Sequence, residues 1–410
     1  MEKYLLDSNE NKEFLTQLQD ELLEFGKQFP SPSGASYYLG DDGTPMYERN
    51  LETWITCRMA HVYSIGMALG FPGSEELVDK ALDGITGILH DEQNGGYFPG
   101  VTKDLTPLAE KQCYGHAFVI LAASSAYLMG RPKAKQLLED STKIFLEKFW
   151  DEEIGLSCDT WNTEFTKLEP YRGLNANMHS VEAFLSVADV TGEEVWRQRA
   201  GKIIDHVLEW AENNDWRIPE HFNENWQPDL VYNADKPDDP FKPYGATPGH
   251  GIEWGRLVTQ WALSTFKNKE DAMPYIEKAC LLYERAIGDG WAANGKPGIA
   301  YTTGWDGKPV VSDRMHWTLA EAINTSSVLY HVTGKEEYKK QYEEFMEYLD
   351  TVVHDKKNGS WFHQLDEDNN LKETVWSGKS DLYHALQSTL IPKLDPSVSV
   401  AVATKKKLYL

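Results

Sequence analysis

Two kinds of helical segment alternate along this chain of 410 residues. One kind is apolar around its whole circumference, as in HAFVILAASSAYLM, and such a helix is expected to be buried. The other kind carries one apolar stripe and many charges, as in KEEYKKQYEEFMEYLD, and is expected to face water. A glycine closes several apolar helices just before a charged helix begins, because glycine readily adopts the left-handed turn that ends a helix. These glycines are Gly70, Gly130, Gly192 and Gly334.

The alternation predicts an all-α fold, an (α/α)6 barrel with six inner helices surrounded by six outer ones. We expect the inner helices near 52–69, 113–129, 177–191, 251–266, 316–333 and 381–390. We expect the outer helices near 74–89, 133–149, 193–212, 271–287 and 335–353, with the amphipathic helix near 9–27 as the sixth. Six pairs with matched ends favour a closed ring over an open solenoid. The chain is then one catalytic domain spanning 1–410.

Longer segments with strand and turn signals separate each outer helix from the next inner helix. In two of them, Trp305-Asp306-Gly307 and Glu367-Asp368-Asn369 are typical of hairpin turns between alternating runs. These segments leave the helices at one end of the barrel. We therefore expect β-hairpin loops to wall the mouth of a central cavity with tryptophan and tyrosine side chains.

Composition narrows the class of protein. The net charge is -24 and the pI is about 4.9, which argues against nucleic acid or an anionic membrane as partner, since both select basic patches. The four cysteines form no CxxC pair, and the N-terminus shows no signal peptide. No apolar run approaches the roughly 20 residues of a membrane span. We expect a cytoplasmic protein, and assembly into a homo-oligomer is left open.

The histidines carry the strongest chemical signal. His179, His250 and His384 each stand at or near the start of a predicted inner helix, and His116 and His316 follow the same arrangement. Helices side by side in a ring would bring these rings together. Imidazole titrates near neutrality, with a usual pKa of about 6.5, so a convergent cluster indicates acid–base chemistry. We interpret His116, on a strongly apolar helix, as a core residue instead.

Carboxylates accompany two of these helix starts. His250, Glu253 and Arg256 follow one another at intervals of three in GHGIEWGR, so they lie near one helix face. The alternative interpretation is a salt bridge at the helix start. Glu321 interrupts an apolar helix, where an unpartnered carboxylate would be costly to bury. We expect Glu321 to face a polar cavity, with Arg314 as a candidate partner.

Two further pairs are candidates for binding. Asp381 precedes His384 by three residues, although Asp381 could instead cap the last inner helix. Arg58 follows Trp54 by one turn on another apolar helix. An indole can stack on the apolar face of a pyranose while a guanidinium binds hydroxyl groups. The alternative for Arg58 is a structural ion pair with a neighbouring helix.

Other kinds of site lack their sequence signatures. The chain has no HExxH or HxH motif, so we expect no catalytic metal and no cofactor. It has no GxSxG nucleophile elbow and no GxGxxG that follows a strand.

Five motifs in order resemble the N-acylglucosamine 2-epimerase superfamily over nearly the whole chain: WITCRMAHVYS, YRGLNANMHSVEAFL, TPGHGIEWGRL, DRMHWTLAEAI and WSGKSDLYHALQSTLIPKL. They are most similar to its aldose–ketose isomerase branch, which includes mannose isomerase and sulfoquinovose isomerase. The resemblance implies an (α/α)6 barrel, a monosaccharide substrate and metal-independent proton transfer through a 1,2-enediol(ate). It implies that His250 and His384 are the catalytic acid and base. It further implies substrate-binding or stabilising roles for Trp54, Arg58, Tyr114, Asn177, His179, Glu253, Trp317, Glu321 and Asp381.

The chain departs from the sulfoquinovose isomerases that it otherwise resembles. Those proteins tend to have Gln where Ser380 stands, and Arg in the loop where this chain has Pro240 and Lys242. A sulfonate favours a bidentate guanidinium, so we expect a neutral hexose, with interconversion of D-mannose and D-fructose and slower action on D-lyxose. The alternatives are a sugar 2-epimerase, a sulfoquinovose isomerase and a glycoside hydrolase. The intact acid–base positions argue against a non-catalytic scaffold.

Overall fold

The computed structural model describes residues 2–410, and over this range the chain forms an (α/α)6 barrel. Its helices are α1 (Asn9–Phe25), α2 (Thr53–Leu69), α3 (Ser74–Thr86), α4 (Cys113–Leu128), α5 (Ala134–Lys148), α6 (Leu174–Thr191), α7 (Val195–Glu212), α8 (Pro248–Thr265), α9 (Lys269–Gly290), α10 (His316–Thr333), α11 (Glu336–Tyr348), α12 (Tyr383–Ser388) and α13 (Val400–Lys406). The even-numbered helices α2 to α12 form the inner ring, and the odd-numbered helices α1 to α11 surround it.

The ring closes as the sequence predicts. Each inner helix packs against the next, α12 returns to α2, and α1 lies against both of these. On the inner helix α4, the consecutive residues Ile120 to Ala123 are all buried, as expected for a helix that is apolar on every side. On the outer helix α11, Tyr338, Tyr342 and Phe345 are buried at helical spacing, while the charged residues between them are exposed or half-buried.

The predicted helix ends are confirmed where glycine closes an inner helix. Gly70, Gly192 and Gly334 have φ angles of 79°, 77° and 72°, and their backbone N–H groups bond carbonyls of the preceding turn. An alanine at these positions would be strained, because residues with a Cβ disfavour the left-handed region.

Short strands fill the connections between helices. They are β1 (Leu51–Glu52), β2 (Gly100–Val101), β3 (Lys111–Gln112), β4 (Trp150–Asp151), β5 (Leu156–Ser157), β6 (Thr160–Trp161), β7 (Arg172–Gly173), β8 (His221–Phe222), β9 (Ala300–Thr303), β10 (Pro309–Met315) and β11 (Gln364–Leu365). All pairings are antiparallel: β1–β2, β3–β6, β4–β5, β7–β8 and β11–β10–β9. Thr303 lies opposite Pro309, so the hairpin predicted at 305–307 is present.

Four of these strands lead directly into inner helices. β1 ends where α2 begins, and β3, β7 and β10 precede α4, α6 and α10 without a break. The strand ladders therefore fix the N-terminal ends of the inner helices in a ring. Side chains in the first turns of these helices point toward a common cavity.

The opposite end of the barrel is closed by an unexpected element. The short helix α13 lies across it and contacts α2, α4 and α6, burying Ala401, Val402 and Ala403. Its apolar core of four residues is too short to give a periodic signal in the sequence. No helix in the described range is long and apolar enough to cross a membrane.

Candidate active site

A cavity opens at the N-terminal ends of the inner helices. Its empty volume, including the open space at its mouth, is about 610 Å³. All the inner helices contribute to its lining, together with segments near β8, β9 and β11. The residues assigned to the site that line it are Trp54, Arg58, Tyr114, His179, His250, Glu253, Trp317, Asp381 and His384.

Asn177 does not line the cavity, contrary to the prediction. Its side chain binds both backbone groups of Ser157, accepting from N at 2.8 Å and donating to O at 3.0 Å. Asn175 lines the cavity instead. Two residues correspond to about 200° around a helix, so only one of these two asparagines can face the barrel axis.

Glu321 does not line the cavity either. The prediction that Arg314 is its partner is wrong. Its carboxylate is fully buried and accepts from Arg256 Nε at 2.7 Å. Arg314 lies on β10 and donates to the carbonyl of Ser312 and to Asn294. Glu321 therefore lies one layer behind the surface that a substrate would touch.

Two histidines that line the cavity are each in contact with a glutamate behind the wall. His250 Nδ1 is 3.0 Å from Glu220 Oε1, and His384 Nδ1 is 3.1 Å from Glu321 Oε1. An ionised carboxylate only accepts hydrogen bonds, so Nδ1 carries the hydrogen in both rings. In its neutral form, an imidazole held this way is left with the lone pair of Nε2 for a substrate. This is the arrangement of an oriented general base.

Trp317 lies between the two imidazoles. The centroids of the His250 and Trp317 rings are 5.1 Å apart, and those of the Trp317 and His384 rings are 5.9 Å apart. One small molecule over the indole would therefore be within reach of both histidines.

Behind His384 lies a layer of buried charge. Arg256 binds Glu321 and also places Nη2 3.5 Å from Glu253 Oε1. Burial and the nearby charge of Glu321 raise the pKa of Glu253 well above its usual value. Burial also opposes ionisation of Glu321, but Arg256 and His384 outweigh it and hold the pKa of Glu321 low. The raised pKa favours the protonated form of Glu253, in which the carboxyl group can donate a hydrogen bond into the cavity.

Burial lowers the pKa of His384 below its usual 6.5, and the bond to Glu321 offsets only part of that effect. The ring is therefore neutral at physiological pH. A neutral ring can act as a base there.

Arg58 occupies an aromatic corner of the cavity. Its Nη1 donates to Asp381 Oδ2 at 3.2 Å, and its Nη2 donates to the hydroxyl of Tyr114 at 3.0 Å. The guanidinium carbon lies 4.7 Å from the Trp54 centroid and 4.6 Å from that of Phe118, which is within the range of cation–π attraction. Arg58 thus forms an ion pair, the alternative considered for it, and also lines the cavity.

His179 lines the cavity beside a buried glutamate. Its Nδ1 is 3.4 Å from Glu182 Oε2, and Glu182 also accepts a hydrogen bond from the hydroxyl of Tyr383. Burial lowers the pKa of His179 to about 4, although Glu182 works against this. His179 can therefore donate or accept a hydrogen bond as a neutral ring.

The remaining two histidines of the pattern differ from each other. His116 is a core residue, as predicted: Nε2 accepts from the backbone of Tyr97 at 3.0 Å, and the ring packs against Phe149. His316 lines the cavity, and its ring stacks on that of His363 with centroids 3.6 Å apart.

Sequence reasoning missed several residues of the site. Glu220 and Glu182 orient cavity histidines, and His363, Phe241 and Trp376 line the cavity. Glu182 lies three residues after His179, so the spacing used for His250 and Glu253 could have identified it. Glu220 and the other three lie on irregular connections, where no periodicity shows which side chain faces inward.

Glu253, Glu321 and His384 could together hold a metal ion, because one ligand atom of each lies within 4.8 Å of the others. Arg256 already places a fixed positive charge between the two glutamates, with Nε 2.7 Å from Glu321. A cation would have to compete with that guanidinium and with the Glu321–His384 bond. The donor set is better matched to the internal ion pair.

Comparisons with known proteins agree over most of the chain. A family model for N-acylglucosamine 2-epimerase (GlcNAc 2-epimerase) matches residues 34–388. The sequence is 41% identical over 367 residues to a D-mannose isomerase of Pseudomonas cannabina pv. alisalensis, covering 89% of this chain and 88% of the relative. It is 39% identical over 395 residues to a D-mannose isomerase of Thermobifida fusca, covering 93% and 95%. A crystal structure of D-mannose isomerase matches with a TM-score of 0.86 at 27% identity, covering 93% of this chain and 97% of that chain.

Proposed function

Because this chain belongs to the N-acylglucosamine 2-epimerase family, we propose that it is an aldose–ketose isomerase that interconverts D-mannose and D-fructose. The observation that carries the proposal is the pair of histidine–glutamate contacts, at 3.0 and 3.1 Å, that face one cavity. The D-mannose isomerases at 41% and 39% identity support the choice of sugar.

The conversion requires two proton movements in the open-chain sugar. One proton moves from C2 to C1, and one moves from O2 to O1, through a 1,2-enediol(ate). His250 and His384 divide this work: the Nε2 of one takes the C2 proton and returns it to C1, while the other carries the hydroxyl proton. The buried carboxylates hold each ring in the tautomer that leaves Nε2 free.

Charge develops on O1 and O2 while the enediolate exists. The Arg58 guanidinium and the neutral carboxyl group of Glu253 line the same cavity and supply donors to these oxygens. Donors that are fixed in place before the reaction stabilise developing charge without reorganisation. Trp54, Tyr114, His179, Trp317 and Asp381 bind the sugar around them.

The charges around the cavity support a neutral sugar. Arg58 is already paired with Asp381. Lys242 is directed away from the cavity, with Nζ 3.9 Å from the Tyr171 ring centroid and 3.7 Å from Glu169. Ser380 lines the cavity, and its hydroxyl donates to Asp381 at 3.3 Å. A sulfonate would therefore lack an unpaired guanidinium among the cavity residues.

The proposal includes metal-independent catalysis within one domain of 1–410, without nucleic acid as partner, and a cytoplasmic location. Cys57, Cys113, Cys158 and Cys280 are all free thiols, which supports a reducing compartment. Cell fractionation tests the location, and sedimentation tests the oligomeric state, which stays open.

The activity is tested directly with the purified protein and D-mannose. A ¹H NMR time course in D₂O should show D-fructose with some deuterium at C1, because a histidine-bound proton can exchange with solvent before it returns. Parallel incubations with sulfoquinovose, N-acetylmannosamine and cellobiose separate the alternatives. Turnover of sulfoquinovose far above that of mannose would contradict the choice of sugar.

A further inference from the structure

A groove lies directly beside the cavity and shares part of its wall. Its empty volume is about 1200 Å³, including its open side, against about 610 Å³ for the cavity. The residues that line both spaces are Trp54, Tyr114, Asn175 and Phe241. Three of these belong to inner helices, whereas Phe241 belongs to the long connection between β8 and α8. Phe241 is therefore the only part of the shared wall, within residues 2–410, that does not belong to the barrel.

Phe241 is packed into an aromatic cluster. Its ring centroid lies 6.0 Å from that of Trp54, 5.9 Å from that of Tyr114 and 5.5 Å from that of Trp376. The phenyl ring has no polar group, and 39% of the residue is exposed. Such a ring fills space and cannot hydrogen-bond a sugar hydroxyl.

The backbone around Phe241 is fixed by several hydrogen bonds. Asp239 Oδ1 accepts from the backbone N–H of Phe241 at 2.9 Å and from that of Lys242 at 2.7 Å. The hydroxyl of Tyr301 donates to the carbonyls of Asp239 and Pro240, each at 3.2 Å. These contacts hold the loop independently of the phenyl ring, so shortening the side chain should leave the loop in place.

The groove has the surface chemistry of a sugar site. Trp54 and Leu108 supply apolar surface, while Gln112, Asp159 and Glu169 supply hydrogen-bonding groups. Burial raises the pKa of Asp159 to about 7, so near neutrality this carboxyl group can both donate and accept hydrogen bonds. A hydroxyl-rich ring next to the cavity would find apolar contact and polar partners together.

We propose that Phe241 determines the substrate length: its ring separates the cavity from the groove, limits the enzyme to one sugar ring, and keeps a second ring out of the groove. This inference rests on the proposed function, because the first ring is taken to be the reacting hexose. The groove is then the place where a reducing disaccharide would extend once the partition is removed.

The test compares D-mannose with 3-O-, 4-O- and 6-O-mannosyl-D-mannose as substrates. These linkages leave O1 and O2 free for the reaction. In Phe241→Ala, the ratio of kcat/KM for at least one disaccharide to that for mannose should rise by about tenfold or more over wild type, as expected when a steric barrier to substrate is removed. Phe241→Trp is the matched control, because it keeps an aromatic partition, and its ratio should stay at or below that of wild type.

A second substitution locates the added ring. Thr160 lines the groove but not the cavity, and it stands on the short strand β6, where a tryptophan is readily accommodated. Thr160→Trp in the Phe241→Ala background should remove the gain for disaccharides while mannose turnover stays close to that of the single variant. A gain that survives Thr160→Trp, or no gain in Phe241→Ala, would overturn the proposal.

A failure of the proposed function has a different signature. In that case wild type would not convert mannose at all. Calorimetric binding of the same mannobioses to Phe241→Ala and to wild type would still test the partition, because binding does not require turnover. Equal affinities in the two proteins would contradict it.

Discussion

The two histidine–glutamate pairs have nearly the same local geometry but very different surroundings. Glu220 stands on the connection before β8 and contacts His250 at 3.0 Å. Glu321 lies in the middle of α10 and divides its two oxygens between His384, at 3.1 Å, and Arg256, at 2.7 Å. Among the described residues, the first pair makes no other side-chain hydrogen bond, whereas the second belongs to a buried charge network.

The difference shows that equal distances do not imply equal roles. The network around His384 contains Arg256, Glu253 and Glu321. All three are buried, so the charge of one group affects the ionisation of the others. The raised pKa of Glu253 depends partly on the charge of Glu321. A change at Glu321 is therefore transmitted to Glu253 and Arg256, whereas a change at Glu220 should affect His250 alone.

The largest expected effect comes from removing either imidazole. His250→Asn and His384→Asn should each lower kcat for mannose by roughly 10² to 10⁴, the usual contribution of a positioned acid or base. Asparagine keeps polarity and a similar size but cannot transfer a proton. Steady-state kinetics measures the loss, and circular dichroism checks the fold. Near-normal turnover in a folded variant would remove that histidine from its assigned role.

Glu321 and Glu253, the two glutamates beside Arg256, should differ in how much their substitution destabilises the protein. Glu321→Gln alone should cost only about 1–3 kcal/mol in the free energy of unfolding, because Glu253 can ionise and take over the pairing with Arg256. Glu253→Gln alone should be close to neutral, since this carboxyl group is already protonated. The double variant leaves Arg256 without either carboxylate, so it should lose about 3–5 kcal/mol.

Urea unfolding of wild type, the two single variants and the double variant forms a double-mutant cycle. The cycle measures the coupling between Glu321 and Glu253. Glu220→Gln serves as the comparison and should cost about 1 kcal/mol, one hydrogen bond without a stranded charge. Additive losses in the cycle would show that the two glutamates do not share Arg256 in the way described.

A smaller effect is expected in the titration of His384. Its pKa is lowered by burial, so the folded ring should titrate below the usual 6.5. The stability that the neutral ring contributes is present above pH 6.5 and is lost as pH falls through the folded value. NMR of ¹³C-labelled histidine, assigned with His384→Asn, measures this directly. Glu321→Gln should lower the pKa of His384 further, whereas Glu220→Gln should leave it unchanged; equal shifts in both variants would contradict the comparison.

The regular part of the molecule could be predicted from the sequence, and the reason is periodicity. The inner and outer helices differ in how their apolar residues are distributed, and the closing glycines mark the ends. Histidines in the first turns of inner helices could be located because a ring of helices brings those turns together. This pattern identifies His250 and His384, whereas Arg58 is identified because it follows Trp54 by one turn on an apolar helix.

The features that could not be predicted depend on the rotation of a helix about its axis and on the conformation of the connections between helices. Asn177 and Asn175 are two residues apart, and the sequence does not show which one faces the axis. Glu321 lies one layer behind the cavity because α10 begins at His316, a start fixed by the pairing of β10 with β9 and β11. Glu220 and Phe241 lie on connections whose conformation follows from long-range hydrogen bonds, which no local pattern records.

The smallest expected effect, no change at all, is that of removing metal ions. It tests only the pair formed by His384 and Glu321, because the candidate cation site includes these two residues. Glu253, Glu321 and His384 are close enough to bind a cation, but Arg256 already supplies positive charge between the carboxylates. Removing metal with excess EDTA, followed by gel filtration, should therefore leave kcat and KM for mannose unchanged, and added Mg²⁺, Mn²⁺ or Zn²⁺ should not activate the enzyme. Loss of activity on chelation that one divalent ion restores would contradict this. It would mean that the network around His384 is a metal site with a displaceable arginine, and the contrast between the two pairs would then be one of cofactor rather than of charge.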